Sequence, residues 1–174
     1  MTREEFWRVI EDTCRCDPSS AEEWDTKLVE ALVVLPADEI VEWNHIFDDL
    51  ARQAYRTDLW AAAYLINGGA SDDGFYYFRC WLIGMGKTVY ENAIANPDSL
   101  ADVVSPEWFD EGIDAEAEIY AAAHQAWMRV TGNNYEADYP SRNESADLVG
   151  DDWDFDDDDE MRKRLPRLAA MYIE

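Results

Sequence analysis

The segment from Asn67 to Gly74 carries the groups best suited to bind a ligand, because it combines an amide, a hydroxyl and two carboxylates. These belong to Asn67, Ser71, Asp72 and Asp73. Its glycines would let the main chain approach a bound molecule closely. The same residue types also mark helix boundaries, since a glycine pair ends one helix and Ser71 with Asp72 caps the next. The segment predicts either a polar pocket or a structural junction.

Two more polar residues lie within apolar patterns, and we count both as candidate ligand contacts. Arg79 is the one charge in the stretch 75–83. It needs carboxylate partners or an aromatic face, so we expect an internal salt bridge, with capture of an anionic ligand as the alternative. His124 lies on a stripe between Tyr120 and Trp127, which favours a hydrogen-bonded core histidine over a general base.

Dedicated metal and phosphate motifs fail on spacing. The aspartate run Trp153-Asp-Phe-Asp-Asp-Asp-Asp-Glu160 opens like an EF-hand calcium loop, but it lacks the glycine at the sixth position and the glutamate at the twelfth. The Gly-Lys-Thr at residues 86–88 has no earlier glycine at the distance that a P-loop requires. Three oddly spaced cysteines fit neither a zinc site nor a disulfide framework. We therefore assign no cofactor and no metal ligands, and keep a divalent ion on the loop carboxylates or on the aspartate run as a weaker hypothesis.

Capping residues and apolar spacing predict that the elements positioning these residues are all helices. Thr2 and Glu5 form a capping box for the first helix, and Ser19 or Ser20 can cap a second. The third shows the clearest amphipathic spacing, through Ile40, Trp43, Phe47, Leu50 and Ala54. Two apolar helices at residues 58–66 and 72–83 form the predicted centre. No stretch alternates like a strand, so we predict an all-α bundle of about six to eight helices.

The C-terminal half is predicted to contain one more core helix and then a long loop. Spacing from Ile113 through Trp127 indicates that helix, and Gly132 ends it. Residues 133–158 lack helical periodicity and read as a long acidic loop. Acidic residues before basic ones favour a closing helical element at 159–173, with Pro166 either kinking it or starting a second helix. We expect one domain over residues 1–174.

The charge of the chain limits its partners. Fourteen basic residues against 39 acidic ones give a formal charge of −25, which repels nucleic acid and anionic membranes. We therefore expect no nucleic acid and no membrane partner. Solubility or adaptation to salt is the favoured interpretation of the charge, and attraction to a basic protein, or mimicry of nucleic acid, is the alternative. The N-terminus has no basic segment leading into an apolar run, so we expect a cytoplasmic protein. The aromatic content indicates that the acidic chain still folds.

Residues 60–83, together with Phe6-Trp7 and Lys87 to Leu100, resemble the bacterial family called domain of unknown function 4240. The aspartate run and Arg164-Leu-Pro-Arg-Leu168 look like the ending of that family, so the resemblance spans roughly residues 1–172. It implies no established activity and no catalytic roles. The motif positions that it indicates are Asn67, Gly68, Gly69, Ser71, Asp72, Asp73, Gly74, Phe78, Arg79 and Trp81.

Two functions remain open from the sequence. The first is a non-enzymatic protein-interaction or regulatory module, of which an immunity-type partner is one form, whose acidic surface binds a basic patch. The second is a small-molecule-binding protein or enzyme whose pocket brings together Asn67, Ser71, Asp72, Asp73, Arg79 and His124. The second requires these side chains to converge, whereas the first does not.

Overall fold

The computed structural model describes residues 1–14, 21–108, 114–134, 138–140 and 145–173. Within them the chain is all-α, as predicted, with more helices than the six to eight expected. Two short 3₁₀ segments, Pro97–Asp102 and Ile119–Ala121, accompany the α-helices. The α-helices are α1 (Arg3–Thr13), α2 (Ala21–Leu32), α3 (Ala37–Gln53), α4 (Thr57–Ile66), α5 (Asp72–Gly84), α6 (Lys87–Ala95), α7 (Ala122–Thr131), α8 (Asp158–Arg164) and α9 (Pro166–Tyr172).

The N-terminal helices form where the local pattern predicts them. Thr2 and Glu5 make both hydrogen bonds of the capping box that begins α1. The stripe of α3 is fully inside the molecule, since Ile40, Trp43 and Phe47 are all buried. The predicted caps Ser19 and Ser20 lie outside the described residues. Local signals of this kind succeed because they depend on neighbours three or four residues away.

The centre of the molecule is built on α4 and α5. Both are apolar on more than one face, and Ala61, Ala62 and Ala63 of α4 are completely buried. Helix α5 packs so closely on α2 that a Cβ atom added to Gly84 would lie 2.6 Å from Cε3 of Trp24. The buried apolar residues form one continuous cluster. The Asn67–Gly74 loop joins these two central helices.

The later part of the chain departs from the predicted helix boundaries. The helix expected from Ile113 onward is shorter, because residues 114–118 are not helical and α7 begins only at Ala122. Ile113 itself lies outside the described residues. Gly132 ends α7 in the left-handed conformation, as predicted, with φ of 71°. The main chain of 114–118 bonds instead to Asn67 and Tyr77, a tertiary alternative that helical spacing cannot reveal.

The C-terminus forms two helices, one of the two arrangements that Pro166 allowed. Helix α8 ends before Leu165, and Pro166 occupies the first turn of α9. Asp98, from the 3₁₀ segment, caps α9: its carboxylate accepts hydrogen bonds from the main-chain N–H of Arg167 and of Leu168, each at 3.0 Å. The N-terminus of α9 is thus bound to the 3₁₀ segment through Asp98.

Among the described residues, no helix is both long enough and apolar enough to cross a membrane.

Candidate functional site

The predicted loop is first of all a helix junction. Asn67 ends α4. Gly68 and Gly69 follow with backbone φ angles of 65° and 133°, which residues other than glycine rarely adopt. Ser71 caps α5, since its Oγ accepts a hydrogen bond of 3.1 Å from the N–H of Gly74. The capping reading is therefore confirmed.

Asp72 and Asp73 lie in the first turn of α5 and are exposed. Their charges favour the positive end of the helix dipole. A structural role thus accounts for both carboxylates.

Residues 114–118 close over this junction, which the sequence did not indicate. Oδ1 of Asn67 accepts a hydrogen bond of 3.0 Å from the N–H of Ala115, and the N–H of Ala117 donates to the carbonyl of Tyr77 at 3.2 Å. A Cβ atom at Gly74 would lie only 3.1 Å from Oε1 of Glu116. Glu116 is therefore a site residue that sequence reasoning missed, because the segment was assigned to a helix.

Glu116 has an unusual electrostatic environment. Burial raises the pKa of Glu116 above its ordinary value of 4.5, and the negative charges of Asp114 and Glu118 raise it further. The Nδ2 atom of Asn67, in the same junction, is buried and has no hydrogen-bond partner in the described part of the chain. Within the described residues the junction thus contains a buried amide donor without a partner and a carboxyl group whose pKa is raised.

Arg79 corrects the expectation of an internal salt bridge. Within the described residues no carboxylate lies at ion-pair distance from its guanidinium. Nη1 donates to the carbonyl of Ala51 at 2.8 Å, and Nε donates to that of Phe75 at 3.3 Å. The guanidinium also lies over aromatic rings, 4.8 Å from the centroid of Tyr55 and 5.2 Å from that of Tyr76.

The position of Ala51 explains how the guanidinium of Arg79 is stabilised inside the molecule. Its carbonyl belongs to the last turn of α3, where helical carbonyls have no partner within the helix and carry the negative end of the dipole. Arg79 binds this carbonyl, and the hydroxyl of Tyr90 donates to the neighbouring carbonyl of Leu50 at 2.7 Å. Two side chains from α5 and α6 therefore complete the C-terminus of α3. Burial lowers the pKa of Arg79.

The six predicted ligand residues do not form one cluster of contacts. Asn67, Ser71, Asp72 and Asp73 share the junction with Glu116, whereas Arg79 reaches α3. His124 lies on α7, with its ring against Tyr139 at a centroid distance of 4.6 Å. Burial lowers the pKa of His124, so it is neutral at pH 7.

The aspartate run is anchored to the core by aromatic side chains. We call residues 151–160 the acidic strip. The indole N–H of Trp153 donates to Asp58 at 3.1 Å, and the ring of Phe155 contacts those of Trp60 and Tyr64. The guanidinium of Arg164 lies 4.9 Å from the centroid of the Trp153 ring. Because anchoring comes from α4 and α8, the strip is part of the folded molecule.

The carboxylates of the strip divide into two groups. Asp157 caps α8 by accepting from the N–H of Asp159 and of Glu160, and Glu160 pairs with Arg164 at 2.9 Å. Asp151, Asp152 and Asp159 remain exposed, and of these Asp151 makes one long contact of 3.9 Å to Arg164. The carboxylates of the first group stabilise α8, and those of the second group present negative charge to solvent.

Among the described residues, no group of three or more His, Cys, Asp or Glu side chains is arranged to hold a metal ion. Cys14 and Cys80 are both buried, and Cys16 lies outside the described residues.

Comparison with known proteins identifies the family of the chain. Searches of curated proteins and of solved structures found no match. A family profile matches residues 1–129, which include the junction, Arg79, Glu116 and His124. The match is shorter than the predicted span of 1–172, and the acidic strip and the two C-terminal helices lie beyond it. The chain belongs to the family described as protein of unknown function (DUF4240).

Proposed function

We propose that the protein is a non-enzymatic interaction or regulatory module whose acidic strip binds a basic patch on a protein partner. The observation that carries this proposal is that Trp153 and Phe155 anchor the strip to α4 while several of its carboxylates remain exposed. An anchored strip loses less conformational entropy on binding than a disordered acidic tail would. An immunity-type role, in which the strip covers a basic protein, is one form of this proposal.

The charge of the whole chain supports the same function. A formal charge of −25 attracts a basic partner over distances set by the Debye length, and complementary charge accelerates association more than it strengthens the final complex. Exposed carboxylates also keep the strip from pairing with nucleic acid or with anionic lipid. The fitting partner is therefore a protein with a compact cluster of lysine or arginine.

The test combines partner recovery with kinetics. A triple variant of the strip removes three exposed charges, and a matched control removes three exposed charges elsewhere on the described surface. The strip variant carries Asp151→Asn, Asp152→Asn and Asp159→Asn. The control carries Asp12→Asn, Asp38→Asn and Glu107→Gln. Proteins that the wild-type chain retains and the strip variant loses are purified, and their association rates are measured by stopped flow.

The expected result is an association rate that falls steeply with salt, since the Debye length drops from ~30 Å at ~0.01 M to ~3 Å at ~1 M. The strip variant should associate more slowly than the control at low salt, although both have the same net charge. A partner whose association rate ignores ionic strength would contradict the proposal. Equal rates for the two variants would contradict the role of the strip.

The second candidate function is a small-molecule or divalent-metal site at the Asn67–Gly74 loop, in a binding protein or an enzyme. The observation that favours it is the buried Nδ2 of Asn67, which has no hydrogen-bond partner within the described residues. Some polar groups of the loop already have structural partners, because Ser71 caps α5 and Oδ1 of Asn67 accepts a hydrogen bond from the N–H of Ala115. Calorimetric titration with Ca²⁺ and with Mg²⁺ tests the metal hypothesis, and no heat at millimolar metal would end it.

A further inference from the structure

A cleft of about 340 Å³ lies where the start of α1, the end of α3 and one face of α6 meet. Its size is at the lower end of the range of small-molecule sites in proteins. None of the residues predicted as ligand contacts lines it. The cleft is also separate from the acidic strip, which packs on α4.

The floor of the cleft is aromatic and apolar. Trp7 and Tyr90 line it with their ring centroids 5.4 Å apart, and they are 4% and 2% exposed. Leu50 and Ile94 complete the apolar part. The hydroxyl of Tyr90 is held by the carbonyl of Leu50, so the floor is fixed before any ligand arrives. Such a surface suits the flat or apolar body of a small molecule.

The charge around the cleft is unusual for so acidic a chain. Most basic side chains of the described residues pair with a carboxylate, as Arg52, Arg129 and Arg167 do. The guanidinium groups of Arg3 and Arg56 make neither a hydrogen bond nor an ion pair within the described residues. Burial raises the pKa of Tyr90 in the floor of the cleft, and the positive charges of Arg3, Arg56 and Arg79 oppose this rise. Arg3 itself is a lining residue.

The lining contains two basic and two acidic side chains, Arg3 and Lys87 with Glu4 and Glu91. Nζ of Lys87 pairs with Oε1 of Glu4 at 3.1 Å, and this contact and the charge of Glu91 raise the pKa of Lys87. Arg3 is thus the basic lining residue that has no ion pair within the described residues, and Gln53 adds an amide to the lining. A guanidinium binds phosphate or carboxylate oxygens through two parallel N–H groups. In a chain with 39 acidic residues, an arginine left unpaired at an apolar cleft is available for such an anion.

We propose that this cleft binds a small organic anion, with its phosphate or carboxylate group on Arg3 and its apolar body on Trp7 and Tyr90. Tight binding at this cleft requires both the anionic group and the apolar body of the ligand. Inorganic phosphate offers no apolar body, and a neutral aromatic alcohol offers no charge, so each should bind far more weakly than a molecule that combines the two.

The test uses calorimetry on the full chain with four probes: phenyl phosphate, benzoate, inorganic phosphate and benzyl alcohol. Phenyl phosphate and benzoate distinguish the two head groups. Arg3→Gln removes the guanidinium, and Arg8→Gln removes the same charge from an exposed position of the same helix that does not line the cleft. Ala95→Trp fills the cleft from its rim, because Ala95 is an exposed lining residue. Thermal unfolding of each variant checks that it is folded.

The expected result is saturable binding of phenyl phosphate, of benzoate or of both. Arg3→Gln should weaken it by roughly tenfold, which corresponds to the loss of about one charged contact. Arg8→Gln should change it less than about twofold, since an exposed distant charge is screened. Ala95→Trp should abolish it. Absence of heat with both aromatic anions at millimolar concentration would overturn the proposal, as would equal losses in Arg3→Gln and Arg8→Gln.

Discussion

Arg79 shows how a half-buried cation can be stabilised without a carboxylate partner among the described residues. Its guanidinium binds the carbonyl of Ala51, one of the orphan carbonyls at the end of α3, and lies against Tyr55 and Tyr76. The helix dipole supplies the negative partner that an acidic side chain would otherwise provide. A family motif residue that looked like a ligand contact is therefore explained by the packing of α5 on α3.

Replacing Arg79 by Met keeps most of the volume and removes the hydrogen bonds. We expect the variant to lose about 1–3 kcal/mol of unfolding free energy, the cost of leaving a buried carbonyl unpaired. Urea unfolding measures this loss. Tyr90→Phe is the matched control: Leu50 keeps the N–H of Ala54 as a partner, so this variant should lose less. A larger loss in Tyr90→Phe would contradict the role assigned to Arg79.

Gly84 tests the close approach of α5 to α2. A Cβ atom at Gly84 would lie 2.6 Å from Cε3 of Trp24. Gly84→Ala should therefore lose about 1–3 kcal/mol of unfolding free energy through overpacking. Gly74→Ala, in the first turn of the same helix, meets only the movable carboxylate of Glu116 at 3.1 Å. It should be neutral or gain up to about 1 kcal/mol from helix propensity. Equal effects of the two substitutions in urea unfolding would contradict the packing.

At the scale of elements, main-chain groups outside the interior of helices are bound by side chains from distant parts of the chain. Asp98 caps α9 across 69 residues, and Asn67 holds the main chain of Ala115 across 48. The segment 114–118 gains these contacts in place of the helix that its spacing predicted. It also brings Glu116 against Gly74, where ionisation of the carboxyl group is unfavourable.

The docked segment gives the protein a pH dependence of known sign. Since the folded state raises the pKa of Glu116, native protein binds the proton more strongly, and the contribution of Glu116 to stability is lost as pH rises above its ordinary pKa of about 4.5. Glu116→Gln should therefore be more stable than wild type at pH 7, and the difference should vanish in acid. Urea unfolding between pH 4 and pH 8 measures it.

Asp102 provides a control of opposite sign. The hydrogen bond from Arg167 lowers the pKa of Asp102, so its contribution is present at neutral pH and is lost as pH falls. Asp102→Asn should be slightly less stable than wild type at pH 7, by an amount that solvent screening keeps small. Glu116→Gln behaving like Asp102→Asn would show that 114–118 does not bury its carboxylate.

At the scale of the whole molecule, self-repulsion is the dominant electrostatic effect. A formal charge of −25 on 174 residues destabilises the compact state. The folded strip adds to it, because Asp151, Asp152 and Asp159 are held near the surface of α4 by Trp153 and Phe155. A basic partner would relieve part of this repulsion, in keeping with the interaction that we propose.

Added salt should therefore stabilise the protein. We expect the urea midpoint at pH 7 to rise between ~0.01 M and ~1 M NaCl, because screening weakens repulsion among the carboxylates. KCl should have the same effect, since screening depends on ionic strength and not on the cation. A midpoint that falls with salt would contradict this, and stabilisation by micromolar CaCl₂ alone would indicate a specific metal site.

The sequence by itself determined the all-α class, the family and most helix ends. The capping box of Thr2, the cap at Ser71 and the stop at Gly132 depend on groups within about four residues, so the local pattern contains the information. Pro166 left a choice between a kink and a new helix, and the tertiary structure selected the second by capping α9 with Asp98.

Only the tertiary structure decided what the polar residues do. Arg79 binds a carbonyl 28 residues earlier, Glu116 reaches Gly74 through a segment that spacing assigned to a helix, and Arg3 meets α3 and α6 at a cleft. Such partners are distant in sequence, and their positions follow from how the helices pack. The residue types show that a cation or carboxylate needs a partner, whereas the packing of the helices determines which partner it has.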